Sequence, residues 1–354
     1  MNVLMVGVDK SSVGGMLTVI ENYLNDKDFC QRVNLQYVAT VIRGNKFLKI
    51  KTFLKKLPEI KKIIKEKHID VVHVHMAERG SVFREGYVVH VAKKLGCKTV
   101  IHMHGATIEY WYNRQNSIVK KITKKIFCSA DKMLVLGELW LPFMKKVMGS
   151  ENEHKIEVLH NAVNVPRENK YNVNANEILF YGMLIPRKGI DDLLTAFKEI
   201  KDEIPSNIKL ALYGDDYDSV EKIGNKIKRF ELEERAEYRG WLTSENRETA
   251  FTNAIVNVLP SYNEGLPMTI LESMGYGIPN ISTNIAAIPE AIINGKNGFL
   301  MEPGNIDGLK ESLKKIILNN ELRKKLSEYA YKMAKDEFSL DSHFKHLISI
   351  YENL

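Results

Sequence analysis

Two glutamates eight positions apart, Glu264 and Glu272, bracket a turn in the stretch PSYNEGLPMTILE (260–272). The run before it, AIVNVL (254–259), is apolar but for one Asn and reads as a buried parallel strand. Pro260 stops that strand, and Gly265 permits a tight turn with backbone close to a ligand. Pro267 falls where a first helical residue belongs, with helix expected to continue over 269–274. The first amides of such a helix, beginning around Leu266 and Pro267, have no intrahelical carbonyl to bond and attract a phosphate. Glu264 in the turn and Glu272 about one turn inside the helix can accept hydrogen bonds from sugar hydroxyls. Amides for phosphate beside carboxylates for hydroxyls suit a nucleotide-sugar.

The E-x(7)-E pattern inside EGLPMTILES, with the later turn GYGIP (275–279), resembles the signature of family-four retaining glycosyltransferases. The resemblance implies a GT-B fold: α/β, two Rossmann-like domains facing a central cleft, with a C-terminal helix crossing back to the first domain. It implies that Glu264 faces the donor sugar, that the amides of Gly265, Leu266 and Pro267's neighbours hold the diphosphate, and that Glu272 binds ribose hydroxyls. The segment GMLIPRKG (182–189) resembles a phosphate-neutralising motif in which a Gly-Arg pair precedes Lys-Gly. Lys188 matches; Met183 stands where the family has Arg, and adjacent Arg187 is the candidate to supply the missing charge. In IHMHG (101–105), His104 matches the histidine that contacts the transferred sugar, and the pair Gly14-Gly15 matches glycines near the donor phosphate. Trp241, after EYRG, packs on the nucleotide base or in the core.

Elements to position these residues alternate along the chain. Residues 1–8 read as a strand, followed by a Gly-rich turn and a helix through Leu17, Ile20 and Leu24, a first Rossmann-like unit without the G-x-G-x-x-G dinucleotide fingerprint. Residues 46–67 carry Phe47, Ile50, Leu54, Leu57, Ile60 and Ile64 at helical spacing among many lysines, and Pro58 predicts two helices meeting there. Strands follow at 69–75, 99–103 and 130–136, and helices at 86–95 and 118–127. An aromatic stretch, TIEYWYNR (107–114), lies where the family's acceptor loop does. The polar run 165–176 reads as a linker, separating a first domain, 1–164, from a second, 177–337. Strands are expected at 178–181, 209–213 and 237–241, and helices at 190–200, 309–317, 322–334 and 338–354. Gly214 to Asp218 reads as a glycine turn with Asp capping the next helix, not as a metal site.

Composition sets outer bounds. The chain has 354 residues, 44% of them hydrophobic, consistent with two globular domains. No stretch is long and apolar enough to span a membrane, and the first residues show no secretory leader. Three widely spaced cysteines suggest reduced thiols, not a disulfide frame or metal site, and a cytoplasmic location. Residues 1–163 hold 27 Lys+Arg against 15 Asp+Glu, and the remainder 24 against 29. The basic half suits an anionic membrane surface or a phosphate-bearing substrate. The lysine-rich segment 46–67 reads first as a sheet-covering helix with a solvated basic face, with peripheral attachment to an anionic membrane as the sharper alternative. No nucleic-acid partner is expected.

The resemblance implies transfer of a hexose or N-acetylhexosamine, with UDP-sugars favoured over GDP-sugars, to a glycan or lipid-linked oligosaccharide in surface-polysaccharide synthesis. It implies no cofactor and no essential metal. Glu264 is the obvious carboxylate if a glycosyl-enzyme forms; the resemblance favours front-face attack with Glu264 orienting the sugar. Two rivals stay open: a nucleotide-sugar epimerase of the same fold, for which no acid/base set is evident, and a non-catalytic nucleotide-sugar-binding subunit, which Met183 mildly supports and the retained Glu264, Glu272, Lys188 and His104 argue against. A dehydrogenase lacks its fingerprint.

Overall fold

The computed structural model describes every residue except 13 and 216–220. The chain forms two compact units, Met1–Asn161 with Asp341–Leu354, and Ala162–Leu340.

In the first unit six strands form one parallel sheet: β1 (Val3–Val8), β2 (Gln36–Val41), β3 (Val71–Met76), β4 (Lys98–Met103), β5 (Lys132–Val135) and β6 (Ile156–Val158). Their order is β2-β1-β3-β4-β5-β6, so the winding direction reverses between β1 and β3. Every residue of β3 is buried, as expected of a strand covered on both faces. The final helix, Leu340–Glu352, belongs to this unit from Asp341 onward and buries His343, Phe344, Leu347, Ile348, Ile350 and Tyr351.

The second unit repeats the plan with β7 (Glu177–Met183), β8 (Lys209–Asp215), β9 (Ala236–Tyr238), β10 (Ala254–Leu259), β11 (Asn280–Thr283) and β12 (Gly298–Met301). Their order is β12-β11-β10-β7-β8-β9, again parallel, and the winding reverses between β7 and β10. Ligands of open α/β sheets bind at such a reversal, beyond the carboxyl ends of the strands. All six residues of β10 are buried, and each fully buried Val, Ile or Leu contributes about 1.5–3 kcal/mol. Its one polar side chain, Asn257, is satisfied by Asn280 at 2.7 Å and Ser273 at 3.3 Å.

Several expectations are corrected. The basic segment is a single helix, Lys46–Glu66, with Pro58 inside it. Pro58 lies on the exposed face, where water can satisfy the Leu54 carbonyl that loses its partner. Only Ile60 and Ile64 of that helix are buried; Phe47, Ile50 and Leu54 are 76%, 58% and 59% exposed. Pro267 is the cap before the helix Met268–Gly275, not its first residue. The strand expected to reach Trp241 ends at Tyr238, and Trp241 is 47% exposed, so it is not a core residue. Asp216 and Asp218 lie outside the described residues, and the next helix, Ile223–Arg229, is preceded by Lys222 and not by an Asp.

Candidate functional site

The turns after β7 and β10, the two strands flanking the reversal in the second unit, are locked together by backbone. Gly189, at φ 72°, lies so close to Pro260 that a Cβ would sit 2.0 Å from the Pro260 carbonyl oxygen. Only glycine fits both the left-handed conformation and the approach. The Tyr262 amide donates to the Arg187 carbonyl at 2.9 Å, and the Arg187 guanidinium donates to the Asn263 carbonyl at 2.7 Å. Gly265 is not among the residues with positive φ; Gly189 supplies the freedom that the turn needs.

This lock brings Lys188 and Glu264 into contact. Lys188 Nζ is 2.5 Å from Glu264 Oε1, and both side chains are largely buried, 14% and 8% exposed. Ser261 Oγ donates to the same carboxylate oxygen at 2.7 Å. Glu264 Oε2 has no protein partner among the described residues and remains an acceptor for a hydroxyl. Leu266 and Pro267 are buried beside it, and no side chain caps the helix Met268–Gly275. Its first amides are therefore not occupied by a capping group. Met183 ends β7, half-buried, next to Asp215 of β8.

Glu272 lies one helical turn further in. Arg247 donates to its Oε1 at 2.7 Å, and the Tyr181 hydroxyl stands 3.2 Å from Oε2 while donating to the Thr269 carbonyl at 2.6 Å. Burial raises the Glu272 carboxyl above its ordinary range, and Arg247 opposes that rise. Arg247 and Tyr181 were not singled out by sequence reasoning. The helix carrying Arg247, Ser244–Thr252, has no apolar period to reveal it.

His104, Gly14 and Gly15 belong to the first unit. Gly14, at φ 116°, caps the helix Gly15–Asn25, and a Cβ there would meet nothing within 4 Å. His104 follows β4 directly, half-buried, with Nε2 2.9 Å from His75 Nδ1. Burial, with His343 adding to it, pushes His104 down to about 3, so at neutral pH it is an uncharged hydrogen-bonding group. His73 and His75 on β3 and His102 on β4 are fully buried behind it. The expected acceptor stretch forms a short helix, Ile108–Asn113, preceded by a hydrogen bond of 2.7 Å from Thr107 to Glu78. The three cysteines are free thiols.

The chain is similar to known proteins along its whole length. The family model "Glycosyl transferases group 1" matches residues 164–333, and "Glycosyltransferase Family 4" matches 21–167. An uncharacterized glycosyltransferase of Methanocaldococcus jannaschii is 29% identical over 371 residues, spanning 100% of this chain and 99% of that one. A UDP-Gal:alpha-D-GlcNAc-diphosphoundecaprenol alpha-1,3-galactosyltransferase of Escherichia coli is 26% identical, over 84% of this chain and 77% of its own. The structure of HepE from Anabaena, in complex with UDP-glucose, superposes with a TM-score of 0.75 at 16% identity, covering 99% of this chain and 100% of that one.

Proposed function

This chain belongs to the glycosyltransferases described by those two family models, with the GT-B fold, and from that premise we propose that it moves a hexose or N-acetylhexosamine from a nucleoside diphosphate to a sugar hydroxyl with retention of anomeric configuration. A UDP-sugar is the favoured donor and a GDP-sugar the next. The reading is supported by UDP-glucose in the HepE structure and by the UDP-galactose donor in the Escherichia coli relative's name. The latter also supports a glycan or lipid-linked oligosaccharide as acceptor, in polysaccharide synthesis.

The observation that carries the proposal is the meeting of Lys188 and Glu264 at the strand-order reversal, with uncapped helix amides beside them and Glu272 one turn below. As the bond from the anomeric carbon to the diphosphate breaks, negative charge grows on the leaving oxygen and positive charge on the ring. Lys188, Arg187 and the helix amides face the first, and preorganised donors of this kind are each worth about 3–4 kcal/mol of barrier. The proposal assigns the balancing of the diphosphate to these donors and includes no metal. The acceptor oxygen bonds to the anomeric carbon from the face the diphosphate leaves, and its proton passes to a diphosphate oxygen. Glu264 Oε2 orients the sugar, Glu272 accepts from the ribose hydroxyls, and neutral His104 contacts the transferred sugar. The amide of Gly15 adds a donor toward the phosphate.

Attachment to an anionic membrane surface is part of the proposal. The helix Lys46–Glu66 exposes Phe47, Ile50 and Leu54 beside Lys46, Lys49, Lys51 and Lys55, and Ile118 on the helix Ser117–Ser129 is 69% exposed near Lys121 and Lys125. Apolar residues interleaved with lysines suit the boundary of an anionic bilayer. No helix among the described residues is long and apolar enough to cross one.

Incubation with a panel of UDP- and GDP-sugars, scored by hydrolysis and protection from thermal unfolding, tests the donor assignment. Protection by one nucleotide class with slow hydrolysis of its sugar supports it. Isomerised sugar with no released nucleotide would indicate an epimerase, and protection without any turnover, even with acceptor glycans, a binding subunit.

A further inference from the structure

The first unit holds a feature that glycosyl transfer does not use. His73 and His75 project from β3 and His102 from β4 to the same side of the sheet, with His75 and His102 in direct register. All three are 0–1% exposed. Each has a ring nitrogen such that the three atoms lie within 4.8 Å of one another. We propose that His73, His75 and His102 form a binding site for a divalent transition metal of the zinc, cobalt or nickel type, closed within the first unit.

The hydrogen-bond pattern is that of metal-binding imidazoles. His73 Nδ1 is 2.5 Å from the Tyr351 hydroxyl and His75 Nδ1 is 2.9 Å from His104 Nε2, while Nε2 of both rings has no partner among the described residues. A histidine that binds metal through one nitrogen has the other held by a hydrogen bond, which fixes tautomer and ring orientation. His102 has no partner at either nitrogen and can present whichever the ion needs. An ion centred among three atoms this close sits no more than about 2.8 Å from each, so small ring rotations reach zinc–nitrogen distances of about 2.0–2.1 Å. Three neutral imidazoles without a carboxylate select zinc, cobalt, nickel or copper over magnesium or calcium. Three nitrogens leave a fourth tetrahedral position, and half-buried His104 stands next to His75 at the end of β4.

The site has a consequence for His104. With metal on Nε2, His75 must carry its proton on Nδ1 and donate it to His104 Nε2. His104 is then held as the tautomer with its proton on Nδ1. His73 likewise donates from Nδ1 to the Tyr351 oxygen, tying the final helix to β3.

The test uses the full-length chain, stripped with chelator and titrated with Co²⁺ while visible absorption is followed, then displaced with Zn²⁺. The expected result is one equivalent with the intense bands of a tetrahedral ion. His102→Ala should weaken affinity at least 100-fold, and Tyr351→Phe about 10- to 100-fold, as loss of an outer hydrogen bond does. Combined His68→Gln, His90→Gln and His154→Gln, all exposed, should change nothing. Should His102→Ala fail to fold, ¹⁵N-histidine spectra of the unsubstituted protein decide: Zn²⁺ must shift three imidazoles and hold His104 as its Nδ1–H tautomer. No tetrahedral spectrum, no shifted imidazoles, or affinity lost with the exposed histidines instead, would overturn the proposal.

Discussion

Lys188 Nζ and Glu264 Oε1 stand 2.5 Å apart although 76 residues separate them in the chain, one following β7 and the other β10. The pair is largely withdrawn from water, so removing one charge strands the other. Such a loss costs about 3–5 kcal/mol, whereas replacing both members by neutral groups of similar volume is often neutral. Lys188→Ala should therefore lower both transfer and the unfolding temperature, while Lys188→Met with Glu264→Gln should recover most of the stability and none of the transfer. Activity returning together with stability would make the pair purely structural.

Glu272 and Arg247 provide a second test. Loss of Glu272 should weaken nucleoside diphosphate binding by about 1.5–3 kcal/mol, the range for a hydrogen bond to a charged group. Burial raises the Glu272 carboxyl in the folded state, so that state keeps the proton at pH values where the unfolded chain has released it. Its stability contribution is therefore greatest below the ordinary value of 4.5 and declines as pH rises through the folded value. Arg247 restrains the rise. In Arg247→Ala the carboxyl should titrate at higher pH, and UDP affinity should begin to fall at a higher pH than in the parent as the solution is acidified. Calorimetry across pH checks this; identical profiles would separate Arg247 from the nucleotide.

Met183 and Arg187 test the departure from the family motif. If Arg187 supplies the charge absent at Met183, Arg187→Ala should weaken diphosphate binding strongly and Met183→Arg should partly restore it. Arg187→Ala binding UDP as well as the parent would leave Lys188 alone among the side chains on the phosphates.

Vesicle sedimentation tests the membrane surface. Binding should require anionic lipid and fade with added salt, since the attraction is screened within about 8 Å at physiological ionic strength. Replacing Lys55, Lys56, Lys61 and Lys62 by Gln should weaken it without changing UDP affinity, and Phe47→Ser with Leu54→Ser should weaken it further. Equal binding to neutral vesicles would refute the electrostatic part.

Around the central motif, much of what is local was legible in the sequence. The strand 254–259, its Pro260 stop and the helix beyond Pro267 could be read because their signals are contiguous, and β10 matches residue for residue. Helix 190–200 was equally plain from its apolar spacing. What stayed hidden depends on partners distant in sequence. Arg247 reaches Glu272 from a helix without an apolar stripe, and Tyr181 reads from sequence as one more strand residue. The sequence shows Gly189 as the glycine of a Lys-Gly pair, but not that the Pro260 backbone packs against it. HVH and HMH were visible as separate strand segments, but only the β3–β4 register puts His75 opposite His102. Pro58 misled because helix interiors tolerate proline on a solvated face.

The account rests on the turns after β7 and β10 holding a nucleoside diphosphate, and calorimetric titration of the full-length protein with UDP, GDP and their nucleosides measures that directly. One site is predicted, with the preferred diphosphate binding at least 100-fold more tightly than its nucleoside and that margin collapsing in Lys188→Ala. Binding of nucleoside and diphosphate with equal affinity, or of neither nucleotide, would contradict it.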